Sequence, residues 1–249
     1  MAGILPGLLM SLLFIAAIWI VTVRDPAKGP KGEALPFAQR FALFLKAAPL
    51  LGVILVSIGG IYLGVFTPVE ASGIEAGLVI VLALVTGKLN RVGFTKAIAD
   101  TVKTSAMLYM IVVGANVLNP FLAITDIPLA LSEMLTHFGL GPYRTLVLIL
   151  LSCVVLGMFL DGLAMLVVTI PIYYPVILGL GFDPIWFGVI AVIVIEMGMI
   201  TPPVGLNVFV VRGVAGDVPL ATVFAGVLPF LLAMIATLLL IIAIPGIAL

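Results

Sequence analysis

Apolar residues fall in eight long runs separated by short polar stretches: about Ile4 to Val23, Ala47 to Phe66, Ala71 to Gly87, Thr104 to Ile124, Tyr143 to Leu160, Leu163 to Leu180, Ile185 to Val211 and Ala221 to Leu249. A helix needs about 20 mostly apolar residues to cross a bilayer, so most of these runs predict spanning helices. No basic segment precedes the first, which argues against a signal peptide. Several runs carry Pro, Gly or Asn, which predicts interruptions. Asn116, Asn119 and Pro120 are expected to break the fourth run, with packing and binding roles both open. The runs flanking Asp161-Gly162 either cross twice or form a re-entrant hairpin.

The charges supply direction. Nine of the eleven basic residues lie in two stretches, Arg24, Lys28, Lys31, Arg40 and Lys46, then Lys88, Arg91, Lys96 and Lys103. Two predicted spans separate the stretches, so both lie on one side, which the positive-inside rule makes cytoplasmic. Thr67-Pro68-Val69-Glu70 then faces outward, as do Asp126, Glu133, His137 and Asp183, while Arg212 returns to the cytoplasm. Phe37, Phe41 and Phe44 recur at helical spacing beside Gln39, Arg40 and Lys46, which predicts a helix lying flat at the interface. Val92 to Lys103 has the same mixed character.

Composition agrees with the runs and narrows the chemistry. Of 249 residues, 64% are apolar and 9% charged, with mean hydropathy +1.43 and zero net charge. Soluble domains carry roughly a quarter charged residues, so a soluble enzyme, a nucleic-acid binder and a disordered scaffold are excluded. One cysteine, Cys153, cannot form an intrachain disulfide and reads as packing. One histidine excludes HExxH and most His-based metal sites. No phosphate-binding G-x-x-x-x-G-K-[ST] occurs, so any transport must draw its energy from elsewhere.

Ala2-Gly3-Ile4-Leu5-Pro6-Gly7-Leu8-Leu9 and Ala225-Gly226-Val227-Leu228-Pro229-Phe230-Leu231-Leu232 share six of eight positions. By the charge reading the first copy runs inward and the second outward. Oppositely oriented copies are the mark of inverted repeats in secondary transporters. The expected organisation is the last helix of one repeat at 1–23, a cytoplasmic amphipathic connector at 24–46 and a second repeat at 47–249, with a preceding half located elsewhere or lost.

The candidate chemistry lies at the predicted breaks. In Gly198-Met199-Ile200-Thr201-Pro202-Pro203-Val204-Gly205-Leu206-Asn207, two consecutive prolines each remove a backbone donor and clash with the preceding turn. Broken backbone at membrane depth survives only where it is buried or lines a cavity. Carbonyls freed around Pro202, Pro203 and Gly205, with the Thr201 hydroxyl and the Asn207 amide, form a candidate site for a hard cation such as sodium. Asp161 and Gly162 are its expected companions, because a carboxylate at membrane depth is costly; the competing reading makes Asp161 a helix cap. Glu196 is read as an indirect participant. Glu70 and Glu75 are read as supporting a helix start after Thr67-Pro68. Thr67, Pro68, Asn116 and Thr169 are candidates for the substrate path. Gly60-x-x-x-Gly64 and Gly73-x-x-x-Gly77 suggest close helix contact.

Four motifs in order, Gly64-Val65-Phe66-Thr67-Pro68-Val69-Glu70-Ala71, Gly157-Met158-Phe159-Leu160-Asp161, Gly181-Phe182-Asp183-Pro184-Ile185-Trp186-Phe187-Gly188-Val189 and Ile200-Thr201-Pro202-Pro203-Val204-Gly205-Leu206-Asn207, resemble the large membrane subunit of tripartite ATP-independent periplasmic (TRAP) transporters. The resemblance covers the whole chain and corresponds to that subunit's C-terminal half. It implies an all-α polytopic membrane protein, one repeat of an inverted-repeat, elevator-type secondary transporter with a helical hairpin and broken helices. It further implies sodium-coupled import of small carboxylates of the C4-dicarboxylate, keto acid or sialic acid type, with Na+ as coupling ion and no other cofactor. The implied partners are a small membrane subunit (DctQ-like), a periplasmic solute-binding protein (DctP-like), the missing N-terminal half and the lipid bilayer of the bacterial inner membrane. By position, Asp161-Gly162 falls in the second hairpin and Thr201 to Asn207 in the broken helix of a sodium site.

Two alternatives to transport stand beside it. An intramembrane hydrolase would use Asp161 and Glu196 as paired carboxylates, though no serine nucleophile elbow is present. An inactive assembly fragment would show no transport even when joined to the missing repeat.

Overall fold

The computed structural model describes residues 2–29, 36–125, 130, 141–216 and 218–249. Asp126, Glu133 and His137, expected outside the membrane, fall beyond the described residues, as does Lys31 of the first basic stretch. Every described helix or strand is helical: α1 (Ile4–Arg24), α2 (Phe37–Tyr62), α3 (Pro68–Val85), α4 (Arg91–Ile124), α5 (Pro142–Gly157), α6 (Gly162–Gly179), α7 (Pro184–Ile200), α8 (Leu206–Ala215) and α9 (Leu220–Ala243), with short 3-10 turns at Pro26–Lys28 and Pro245–Ile247. Six of them are long and apolar enough to cross a membrane: α1, α2, α3, residues 91–118 of α4, α6 and α9. The helices fall into two compact units, one of residues 30–105 and one of residues 2–29 with 106–249; α4 is divided between them at Ser105. This division cuts across the boundaries expected from the sequence.

In the first unit α2 packs on α3, with Val53 and Ser57 of α2 and Ala71 of α3 buried. Thr67 opens α3 with a capping box: its hydroxyl accepts from the Glu70 amide at 3.3 Å while the Glu70 carboxylate accepts from the Thr67 amide at 2.8 Å. Two orphan amides are thereby satisfied at once. This is the helix-start role expected for Glu70.

Three sequence expectations are corrected here. Phe37, Phe41 and Phe44 do not form a separate flat helix, because nothing between them and Pro49 stops the helix and α2 runs unbroken from Phe37 to Tyr62. Val92 to Lys103 likewise forms the opening turns of α4. Gly73 and Gly77 have no atom within 4 Å of where a Cβ would stand, so neither marks a close helix contact. Gly64 lies past the end of α2 at φ 71°, a turn position only glycine takes without strain. Gly60 is covered by the ring of Phe66 rather than by another helix.

The second unit holds the larger core, made by α5, α6, α7 and α9 around Leu146, Met165, Ile177, Phe187, Ile190 and Ile241. Asp183 opens α7, its Oδ1 accepting from the Ile185 and Trp186 amides at 2.8 and 3.0 Å, with Pro184 at the first helical position. Trp186 is thus aimed inward, where its indole N–H donates to the Ile241 carbonyl at 3.1 Å and its ring stacks on Phe182. The helices carrying the repeated motif pack together: Phe14 meets Phe230 edge to face at 5.4 Å, while Thr22 and Thr222 line one groove. Since residue 14 lies beside 230 and 22 beside 222, α1 and α9 run antiparallel. The outer face of α1 shows Leu5, Leu8, Leu12, Ile15 and Trp19 exposed at helical spacing, an apolar stripe suited to lipid or to another membrane chain.

The expected break of the fourth run does not occur: α4 continues through Pro120 to Ile124. A single proline removes one donor, and the neighbouring turns carry the helix on.

Candidate functional site

Two interruptions meet in the second unit. Residues 158–161 join α5 to α6 as a helical hairpin, and residues 201–205 separate α7 from α8. Helix α5 has 16 residues and α7 has 17. At 1.5 Å per residue each reaches about 25 Å, short of the roughly 30 Å hydrocarbon layer. Their ends carry partial charge.

The break is built as its residues dictate. Pro202 and Pro203, joined by a cis peptide, follow Thr201, whose extended backbone (φ −91°, ψ 138°) closes α7. The Thr201 amide turns back to the Gly198 carbonyl at 3.0 Å and its hydroxyl donates to the Met197 carbonyl. The carbonyls of Met199, Ile200 and Thr201 meet no donor among the described residues, because the positions that would serve them are prolines or lie outside helical geometry. Gly205 then adopts φ 62° and ψ 72° as the residue before α8. A Cβ there would stand 3.2 Å from the Thr201 oxygen and 3.1 Å from the Phe224 ring, so glycine is needed both for the conformation and for the room.

The hairpin connector lies against this break. Gly205 donates its amide to the Met158 carbonyl at 3.4 Å, a long bond that joins the two gaps directly. Asp161 caps α6: its Oδ1 accepts from the Leu163 and Ala164 amides, each at 3.0 Å. The capping alternative for Asp161 is thus observed, and observed at the end of a hairpin connector. Asp161, Gly162 and Leu166 line an open groove of about 360 Å³ with Val192, Glu196 and Met199 of α7. The Glu196 side chain is exposed on α7 and meets no donor among the described residues. Inside the hairpin, the Ser152 hydroxyl meets the Tyr173 hydroxyl at 2.6 Å and so ties α5 to α6.

The remaining predicted residues are dispersed. Thr201 and Asn207 are half-buried on the two sides of the break, and Pro202 and Pro203 are exposed. Thr169 is buried on α6 with its hydroxyl donating to Met165, whereas Asn116 sits on an exposed face of α4 with its amide donating to Val112. Thr67 and Pro68 belong to the other unit, where they open α3. Sequence reasoning missed the Met158 carbonyl and the tight approach of Gly157 to Gly198, although both glycines begin the segments it had singled out. Spacing within one segment carries no information on what lies across from it.

Among the described residues no three His, Cys, Asp or Glu side chains gather as a metal site. What the arrangement offers is main-chain and hydroxyl oxygen at two helix C-termini, beside two helix N-termini. The first suits a hard cation and the second an anion.

Paired, interrupted helices in a multi-pass helical membrane protein are an architecture that secondary transporters use. The chain is in turn matched over residues 1–247 by the family of the tripartite ATP-independent periplasmic transporter, DctM component, and it belongs to that family. The family is one of transporter components, not of enzymes. It is 33% identical over 252 residues to the C4-dicarboxylate TRAP transporter large permease protein DctM of Pseudomonas aeruginosa, covering all of this chain and 58% of that protein. It is 32% identical over 247 residues to the sialic acid TRAP transporter large permease protein SiaM of Vibrio cholerae, covering 98% of this chain and 57% of the relative. The isethionate TRAP transporter permease protein DctMQ of Oleidesulfovibrio alaskensis is 32% identical over 254 residues, covering 99% of this chain and 39% of the relative. The chain therefore spans about half the length of the relatives it matches.

Proposed function

We propose that this chain forms part of a bacterial inner-membrane permease that imports small organic anions, chiefly carboxylates, by sodium-coupled alternating access. The observation that carries the reading is the meeting of two helix breaks, where three carbonyls that meet no donor among the described residues stand at the end of α7 and the break is joined through Gly205 to the hairpin connector. Sodium is held by oxygens supplied by Ile200, Thr201 and Asn207, with Asp161 and Gly162 contributed by the hairpin. The N-termini of α6 and α8 favour an anion, and the three relatives transport C4-dicarboxylate, sialic acid and isethionate by name. The family is tripartite, so a small membrane subunit and a periplasmic solute-binding protein complete the system, together with the other half of the large subunit.

The test is uptake of labelled carboxylates into proteoliposomes holding the assembled transporter, with and without an imposed sodium gradient. Thr201→Ala and Asn207→Ala are expected to reduce sodium stimulation about tenfold, on the order of 1.4 kcal/mol of binding, at unchanged membrane levels. Undiminished sodium stimulation in both variants refutes the assignment, and no uptake by the complete assembly favours an inactive assembly fragment.

A further inference from the structure

We infer that Gly157 and Gly198 weld the hairpin connector to the helix break, so that the two gaps move as one body, and that both glycines are positioning residues for whatever the site binds. Gly157 is the last residue of α5, immediately before the connector; Gly198 lies three residues before Thr201. Both are buried, and they touch backbone to backbone. A Cβ on Gly198 would stand 2.7 Å from the Gly157 Cα, 2.9 Å from its carbonyl carbon and 2.9 Å from the Val154 oxygen. A Cβ on Gly157 would stand 3.0 Å from the Gly198 Cα and 3.3 Å from the Ile195 oxygen. No rotamer change relieves such contacts, because the atoms in the way are main chain.

The contact sits where it controls both gaps. The Gly198 carbonyl receives the Thr201 amide at 3.0 Å, so moving Gly198 carries the first residue of the break with it. On the other side, Met158 follows Gly157 and its carbonyl holds the Gly205 amide. The main chain thus closes a loop of direct links: Gly157 to Gly198, Gly198 to Thr201, the break to Gly205, Gly205 to Met158, and Met158 back to Gly157. A methyl at Gly198 falls about 0.7 Å short of ordinary contact, more than the roughly 0.5 Å within which a binding constellation must be held. Gly188, on the same α7 helix, has nothing within 4 Å of its Cβ position and supplies a matched control.

The inference uses the sodium reading only for its consequence, not for its geometry. The experiment is hydrogen exchange, followed by mass spectrometry, on the purified chain in lipid nanodiscs at several sodium concentrations. Gly198→Ala, and the milder Gly157→Ala, are expected to raise exchange at least fivefold in residues 158–164 and 201–208 together, with Gly188→Ala as in the wild type. Exchange that rises in one segment and leaves the other unchanged overturns the weld, as does wild-type exchange in both variants. General unfolding of both variants beside a folded Gly188→Ala protein also overturns it, since it shows a global packing role. Sodium that fails to protect either segment in the wild type counts against the proposed ion site alone, while the paired response still decides the weld.

Discussion

Two aspartates open helices in this chain with the same pair of bonds, and their surroundings separate their roles. Asp183 is exposed, is followed by proline and accepts from two amides of α7. Its charge has no further task in the fold, so Asp183→Asn, which keeps the acceptor, should leave stability near wild type. Asp183→Ala should cost about 1 kcal/mol, read from unfolding in mixed detergent. Asp161 makes the equivalent bonds on α6 but lines the groove with Glu196. Asp161→Asn also preserves a cap, so a selective loss of sodium stimulation at unchanged stability would assign the lost effect to the charge. Equal sodium stimulation would reduce Asp161 to a cap. Gly205 is constrained from two directions, by φ 62° and by the Phe224 ring. Gly205→Ala is therefore expected to destabilise the protein by about 1 to 2 kcal/mol and to disturb the break, read from proteolysis at 201–205.

At the scale of the helix, the decisive contrast lies between prolines spaced along a helix, as Pro171 and Pro175 are in α6, and two in succession. Pro49, Pro120 and Pro229 each sit inside a helix that continues past them. Pro202 and Pro203 together, followed by a left-handed glycine, end α7 and restart it as α8. Restoring both donors in Pro202→Ala/Pro203→Ala should let the backbone close part of the gap. That variant is expected to keep or gain thermal stability while losing most sodium stimulation of uptake; undiminished stimulation would show that the gap itself is dispensable. This break was legible because consecutive prolines act through their own backbone. The helix start after Thr67-Pro68 was legible for the same reason, since Thr-Pro-x-Glu is a local statement. The flat connector at Phe37 to Phe44 misled because an amphipathic turn ahead of an apolar run has the same spacing whether or not the helix bends between them. The glycine contact at 157 and 198 stayed hidden because it depends on which helices cross, and the pattern that was written in sequence, Gly73-x-x-x-Gly77, faces open space.

For the molecule as a whole, the charge distribution and the helix lengths make one joint statement about orientation. Helix α3 has 18 residues, about 27 Å of rise, and it separates the turn at 63–67 from the basic stretch that begins at Lys88. If Lys88, Arg91, Lys96 and Lys103 are held in the cytoplasm by the positive-inside rule, the turn before Thr67 must face the opposite side. The native background for testing this is quiet, since the only cysteine, Cys153, is 2% exposed. Leu63→Cys, 81% exposed, should react with a membrane-impermeant maleimide in intact spheroplasts, whereas Lys88→Cys should react only after permeabilisation. The reverse pattern would turn the chain over, placing both basic stretches outside.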